Sequence, residues 1–259
     1  MRSILFCLAL LLVGCGSGNK TVWDGPPASE AEAAYRKALN AFESGQYIDA
    51  MTQFNELRLK YPYSSRWTTL AELRQADVLA DQGRHAAAAV SYQEFINAHP
   101  THEDVAYAQY QIGICSYKEM PMDVFFLPAP HQRELATTRQ AESAFKRLLA
   151  KFPDYENAEE ARAKLAEVRE RLATYELYVA EFNFKKAAYY GTVKRTETLL
   201  QSYPDSSQAD DALLLQAHAY IKLEDVDMAI ASLQRLLADY PDSEFVPEAQ
   251  SWLDQYAPT

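Results

Sequence analysis

A four-residue phrase written twice near the C-terminus restricts the folds open to this chain more than any other feature. Tyr203-Pro204-Asp205-Ser206 returns thirty-seven residues later as Tyr240-Pro241-Asp242-Ser243. Related pairs stand upstream at Tyr61-Pro62, His99-Pro100 and Phe152-Pro153, so one junction type occurs five times. Proline lacks an N–H and pushes the residue before it out of the α region, which makes each junction a helix stop. Ahead of Pro241, Ala229, Leu233 and Leu236 fall at offsets of four and three, placing one apolar stripe on a helix face. The acidic break Glu224-Asp225 separates that helix from an earlier striped segment carrying Ala217 and Tyr220. A unit of two such helices cannot cover its own stripe and needs a stacked neighbour, so the chain is predicted to be a helical repeat array.

The other units follow the same plan. Glycine is scarce, while Ala, Leu, Glu, Gln and Arg dominate a chain that is 48% apolar, which favours helix and allows a sizeable core. Ser29 is placed to cap a first helix over 30–44, with Glu30 and Glu32 complementing its dipole and Tyr35, Ala38, Leu39 and Phe42 on one face. Gly45 stops it, and a second helix over 47–60 carries Ala50, Phe54 and Leu57 to Pro62. Unit two sets Ala76 and Leu79 before Gly83, then Ala88, Tyr92 and Phe95 before Pro100. Unit three has Ile112-Gly113, then Ala141, Phe145 and Leu148 before Pro153. This order of small residue, bulky residue, turn, alanine, aromatic, leucine and proline resembles the tetratricopeptide repeat. The resemblance implies an all-α fold, an α-solenoid of five degenerate tetratricopeptide (TPR) helix-turn-helix repeats whose first helices line a concave groove.

The departures from that pattern are specific. The five prolines are separated by 38, 53, 51 and 37 residues, all longer than the standard 34. An insertion at 120–133, with Val124-Phe125-Phe126-Leu127 between prolines, interrupts repeat three; it is read either as a loop tucked onto the array or as a docking element. Repeat four has Thr192 and Thr196 where alanine and an aromatic are expected. From Asn157 to about Tyr190 there is no proline or glycine, which predicts one long helix between repeats three and four, standing partly clear of its neighbours. Repeats one to three are thus assigned to 29–154, and repeats four and five, with the long helix and a capping helix over 244–256, to 155–259.

The N-terminus is a targeting segment rather than part of the fold. Arg2 precedes a ten-residue apolar run, Ile4 to Val13, far shorter than the roughly twenty residues that span a bilayer. It ends in Leu12-Val13-Gly14-Cys15, which resembles the lipobox of bacterial lipoproteins. That resemblance implies a signal peptide over 1–14, lipid attachment at Cys15 and, because Gly16 rather than aspartate follows, anchoring in the outer membrane facing the periplasm. Residues 15–28, rich in Gly, Pro and Ser, read as a flexible tether. Cys115 is then the one thiol left in the body; it falls in an apolar stripe and is expected to be buried.

Catalytic motifs are missing: there is no Gly-rich phosphate loop, no Gly-x-Ser-x-Gly and no His-Glu-x-x-His. His99 and His102 sit on a repeat junction with no further ligand spaced to join them, so no metal, no cofactor and no catalytic residue is assigned. The net charge of −11 disfavours nucleic acid. Binding remains. Tyr35, Leu39 and Phe42 in repeat one, and Tyr107, Tyr110, Ile114 and Tyr117 in repeat three, are candidates for a groove that takes an extended aromatic peptide, against the plainer reading of inter-repeat packing. Lys185, Lys186, Lys194 and Arg195 form a basic cluster, either a solvated face or a docking site for a partner protein.

Lipobox, tether, five long repeats, the intervening helix and the tract Tyr175-Glu176-Leu177-Tyr178-Val179-Ala180-Glu181-Phe182 together resemble the BamD family, the lipoproteins of the outer-membrane β-barrel assembly machinery. The resemblance implies a scaffold, not an enzyme, that binds the POTRA region of BamA through its C-terminal repeats, meets other Bam lipoproteins, and contacts C-terminal segments of unfolded outer-membrane proteins through its N-terminal repeats. Another TPR lipoprotein, such as a protease adaptor, a pilotin or a division coordinator, is the alternative.

Overall fold

Helix after helix, the chain runs as hairpins stacked in sequence order. A computed structural model describes residues 29–63, 65–121 and 135–256. The signal peptide, Cys15, the tether and all but the first two residues of the 120–133 insertion lie outside the described residues. Eleven helices are found among the described residues: α1 (Glu30–Glu43), α2 (Tyr47–Lys60), α3 (Ser65–Asp81), α4 (His85–Ala98), α5 (Val105–Lys118), α6 (Ala136–Lys151), α7 (Ala158–Lys185), α8 (Tyr189–Ser202), α9 (Ala209–Lys222), α10 (Val226–Asp239) and α11 (Val246–Tyr256). Each packs on the next, and α1 also touches α3, α5 touches α7 and α7 touches α9, so the first helices of successive hairpins share one side of the array.

Local chemistry sets the element ends. Ser29 Oγ accepts from Glu32 N–H at 3.1 Å, with Glu30 and Glu32 in the first turn of α1. The residue before each repeat proline adopts one conformation: Tyr61, His99, Phe152, Tyr203 and Tyr240 have φ between −123 and −134° and ψ between 51 and 65°. Each donates its N–H to the carbonyl four residues back, closing the helix as the proline ends it. The repeated phrase has a second role. Ser206 Oγ accepts from Gln208 N–H and Ser243 Oγ from Phe245 N–H, both at 3.1 Å, so each serine caps the turn into the next hairpin.

The hairpin turns need a left-handed residue. Gly45 (φ +73°) and Gly83 (φ +75°) supply it in repeats one and two, and Glu224 (φ +62°) in repeat five. In repeat four it is Ala187, at φ +56°. Small residues let paired helices close: Ala38 and Ala50, Ala76 and Ala88, Ala217 and Ala229 are all 0–1% exposed. At Gly113 the approach is tighter still, for a Cβ there would lie 2.5 Å from Cε1 of the buried Phe145 ring.

Two features differ from the sequence expectation. The long helix does follow repeat three, but at 28 residues it stops at Lys185 and does not stand clear. Its buried residues run from Ala158 to Ala180, it packs against both α6 and α8, and its C-terminal part pairs with α8 as the first helix of repeat four. Thr192 and Thr196, both 0% exposed, fill the positions expected for alanine and an aromatic; Thr192 Oγ1 donates to Ala180 O at 3.2 Å and Thr196 Oγ1 to Val193 O at 2.9 Å. Their hydroxyls are satisfied within the backbone, so a polar residue is tolerated in the core. One apolar cluster joins Phe145 and Leu148 of repeat three to Leu172, Leu199, Leu213 and Leu253. Cys115 is buried at 1% exposure, and burial pushes its thiol up to about 11.

Candidate functional site

The seven groove candidates fall into two groups, and residues of α3 link the members of the first. Tyr35 of α1 is 7% exposed, its ring 5.9 Å from Phe54 and 5.3 Å from Trp67. Arg74 Nε donates to the Tyr35 hydroxyl at 3.4 Å, and Arg74 is ion-paired with Asp77. Asp77 is 5% exposed and its Oδ1 accepts from Tyr92 at 2.6 Å and from Tyr107 at 2.8 Å. The rings of Tyr92 and Tyr107 meet edge-on at 6.3 Å. Burial, followed by the Asp77 charge, pushes the hydroxyls of Tyr92 and Tyr107 far above their ordinary value, so both remain donors. Leu39 and Phe42 are partly buried against the core of repeat one.

The second group lies against α7. Tyr110 is 6% exposed with its ring 5.7 Å from Tyr155; burial raises its hydroxyl, helped by a hydrogen bond to Glu160. Ile114 and Tyr117 are partly buried against the same core, and the Tyr117 hydroxyl donates to Glu167 while the Lys164 ammonium stands 4.5 Å over its ring. Tyr35 and Tyr110 are therefore largely committed to packing, whereas Phe42, Tyr107 and Tyr117 keep part of their surface. Among the described residues, no group of three His, Cys, Asp or Glu is arranged to hold a metal. His99 Nε2 instead meets Glu72 Oε2 at 2.7 Å, and His102 Nδ1 accepts from Asp104 N–H.

The basic cluster is not uniform. Lys185 lies 3.8 Å from Glu181, and Lys186 stands 5.7 Å over the Phe182 ring. Lys194 bonds Glu197 at 3.0 Å and stands 5.7 Å over Tyr190. Arg195 points inward: its Nη1 donates at 2.9 Å to Glu176, which is 2% exposed and also takes Arg139 Nη2 at 3.4 Å. Sequence reading missed Phe182 and Tyr190, which are 50% and 67% exposed between these lysines. Spacing alone held that signal, since Phe182, Lys186 and Tyr190, Lys194 are two i, i+4 aromatic–lysine pairs.

A cleft of about 490 Å³ lies between α7 and the Tyr203–Ser206 junction, bordered by Arg162, Leu165, Arg169, Glu170 and Tyr203. Burial raises the Glu170 carboxyl, but hydrogen bonds from Ser207, Ser206 and Gln208 outweigh it and hold the group below its ordinary value. None of these arrangements pairs a nucleophile with a base.

The family model described as YfiO, outer membrane lipoprotein, matches residues 27–229. The outer membrane protein assembly factor BamD of Xylella fastidiosa (strain 9a5c) is 28% identical over 248 residues, 93% of this chain and 82% of that protein. The BamD proteins of Vibrio cholerae and Neisseria gonorrhoeae are 28% and 25% identical over 82% and 96% of this chain, and 87% and 95% of their own. Among solved structures, the TPR2AB domain of yeast Sti1 in complex with pHSP90 aligns over 88% of this chain and 85% of its own, at TM-score 0.41 and 13% identity. The TPR domain of P58(IPK) aligns over 85% and 53%, at TM-score 0.43 and 20% identity. With the family model spanning all five repeat junctions except the last, the chain belongs to the YfiO family of outer membrane lipoproteins.

Proposed function

We propose that this protein is a scaffold of the β-barrel assembly machinery, anchored through Cys15 in the outer membrane and facing the periplasm. In this reading the C-terminal repeats dock the POTRA region of BamA, with Lys185, Lys186, Lys194 and Arg195 supplying charge. The N-terminal repeats receive C-terminal segments of unfolded outer-membrane proteins along Tyr35, Leu39, Phe42, Tyr107, Tyr110, Ile114 and Tyr117. Other Bam lipoproteins complete the assembly, and no reaction is catalysed. The supporting observation is similarity to assembly factors named BamD along 93% and 96% of the chain, on a fold made of stacked helical hairpins.

The mechanism is recruitment by confinement. A shared membrane surface raises the effective concentration of each contact, so weak grooves suffice. Tyrosines give large, rigid area with a polar tip, suited to aromatic strand ends. Affinity capture from native outer membranes tests the assignment. It should recover a POTRA-bearing barrel protein, with recovery lowered by Lys186→Glu/Lys194→Glu; recovery of a protease or a pilus secretin in its place refutes the reading. For the groove, Tyr117→Ala should weaken binding of a substrate C-terminal peptide by about tenfold, as befits loss of an aromatic contact.

A further inference from the structure

Like residues 182–196, the corner between α2 and α3 carries cations without carboxylates. From Arg58 to Trp67 there are three cations, Arg58, Lys60 and Arg66, and no carboxylate, in a protein of net charge −11. Arg58 is spoken for, donating to Glu72 and Gln75 at 2.9 Å. Lys60 and Arg66 are exposed, each 5.0 Å over an aromatic ring, Tyr61 and Trp67. Between them stand Leu59, 82% exposed, and Tyr63, 98% exposed. Ile48, 79% exposed, precedes Leu59 by eleven residues. At 100° and 1.5 Å per residue that spacing puts it about 20° round the helix and about 16 Å away, on the same outward face. The acids beside the corner are Glu72, held by Arg58, Glu56, one turn before Lys60, and Glu30.

Glu30 fixes where this corner lies. The Tyr61 hydroxyl donates to Glu30 Oε2 at 3.0 Å, and Glu30 is the first residue of α1. The corner therefore adjoins the point at which the N-terminal segment joins the fold. Cys15 stands fourteen residues before Ser29. Fourteen residues of chain span at most about 50 Å when fully extended. If Cys15 carries lipid, the bilayer lies within reach of this corner, which adjoins the start of α1.

We propose that Leu59, Lys60, Tyr63 and Arg66, extended by Ile48, form a docking surface for an anionic bilayer; this rests on the reading of Cys15 as the lipid site. Leucine and isoleucine insert at the headgroup boundary, tyrosine sits at the interface, and the two cations meet lipid phosphates. Anchor and corner together make two attachment points, which fixes the tilt of the array and the direction its first helices face. An acidic protein partner is the competing occupant, and the test separates the two.

The full-length lipidated protein is reconstituted in vesicles of phosphatidylethanolamine and phosphatidylglycerol, and in phosphatidylcholine vesicles, with no other protein present. Hydrogen exchange of residues 59–67 should slow about fivefold in the anionic vesicles relative to the neutral ones, as for a locally ordered exposed corner. The slowing should vanish in high salt and in Lys60→Glu/Arg66→Glu, while the turn at Gly83 stays unchanged. Flotation of the same samples reports the anchor. Co-flotation with equal exchange in both lipids overturns the docking surface and leaves the anchor standing. Failure to float overturns the anchor, and the proposal with it. Protection that appears only when a purified protein partner is added assigns the surface to protein and overturns the proposal.

Discussion

Removing the two arginines that hold Glu176 should harm this protein far more than removing Glu176 itself. Glu176 sits midway along α7 with its side chain 3% exposed, whereas the side chains of Arg139 and Arg195 keep 53% and 42% of their surface. Arg139→Ala/Arg195→Ala strands a carboxylate between α6, α7 and α8. Breaking a buried pair from that side costs about 3–5 kcal/mol, because the remaining charge has neither partner nor water. Glu176→Gln leaves two guanidinia that water can reach and keeps the side-chain volume, so its loss is about 1 kcal/mol. Urea unfolding followed by helical circular dichroism measures both. With a slope of about 2 kcal/mol per molar urea, the double arginine variant should unfold about 2 M earlier and Glu176→Gln about 0.5 M earlier. Adding Glu176→Gln to the arginine double should restore most of the loss. Equal midpoints for the two variants, or no recovery in the triple, would refute the reasoning. The outcome bears on function as well. If Arg195 is needed to neutralise Glu176, reduced partner capture by a charge reversal there reports damage to α7, and the docking surface has to be tested at Lys186 and Lys194.

Ala187→Gly should stabilise the protein by about 1 kcal/mol, the cost of holding a β-carbon in the left-handed region, seen as a raised thermal midpoint. Gly83→Ala should cost a similar amount although nothing lies within 4 Å of the added methyl, so a neutral result would show that the turn rearranges. Gly113→Ala should destabilise by about 1–3 kcal/mol through overpacking against Phe145, measured by the same urea titration.

The parts of this fold that could be read from sequence are those whose cause lies within a few residues. An aromatic before proline closes a helix by its own backbone, and Gly45 and Gly83 mark left-handed turns by composition alone. Ala187 performs the same turn without any such mark, which is why the helix was expected to run on towards Tyr190. Thr192 and Thr196 look like departures from the repeat until their hydroxyls are seen to bond the helix backbone. The candidate surfaces were less legible, because a stripe shows periodicity and not its partner. Tyr107 and Tyr110 are three positions apart on α5, yet one meets Asp77 on α3 and the other Tyr155 beyond α6. Glu176 resembles the solvated carboxylates around it; its burial depends on helices twenty to forty residues away.

The junction aromatics also carry a mechanical consequence. The Tyr61 hydroxyl reaches back to Glu30 and His99 to Glu72, each tying the end of a hairpin to its own first helix, while the Tyr240 hydroxyl reaches Pro204 O at the preceding junction. Ser243 Oγ adds a 2.6 Å bond to Asp210 in the last repeat. Repeat three ends in Phe152, which has no hydroxyl to reach back with, and Leu172 and Leu177 of α7 carry the apolar core past that seam. Other side chains supply the polar ties there: the Tyr117 hydroxyl donates to Glu167, Arg162 to Pro153 O and Arg139 to Glu176. In repeat three, therefore, the ties between neighbouring hairpins come from the helix faces and not from the junction side chain.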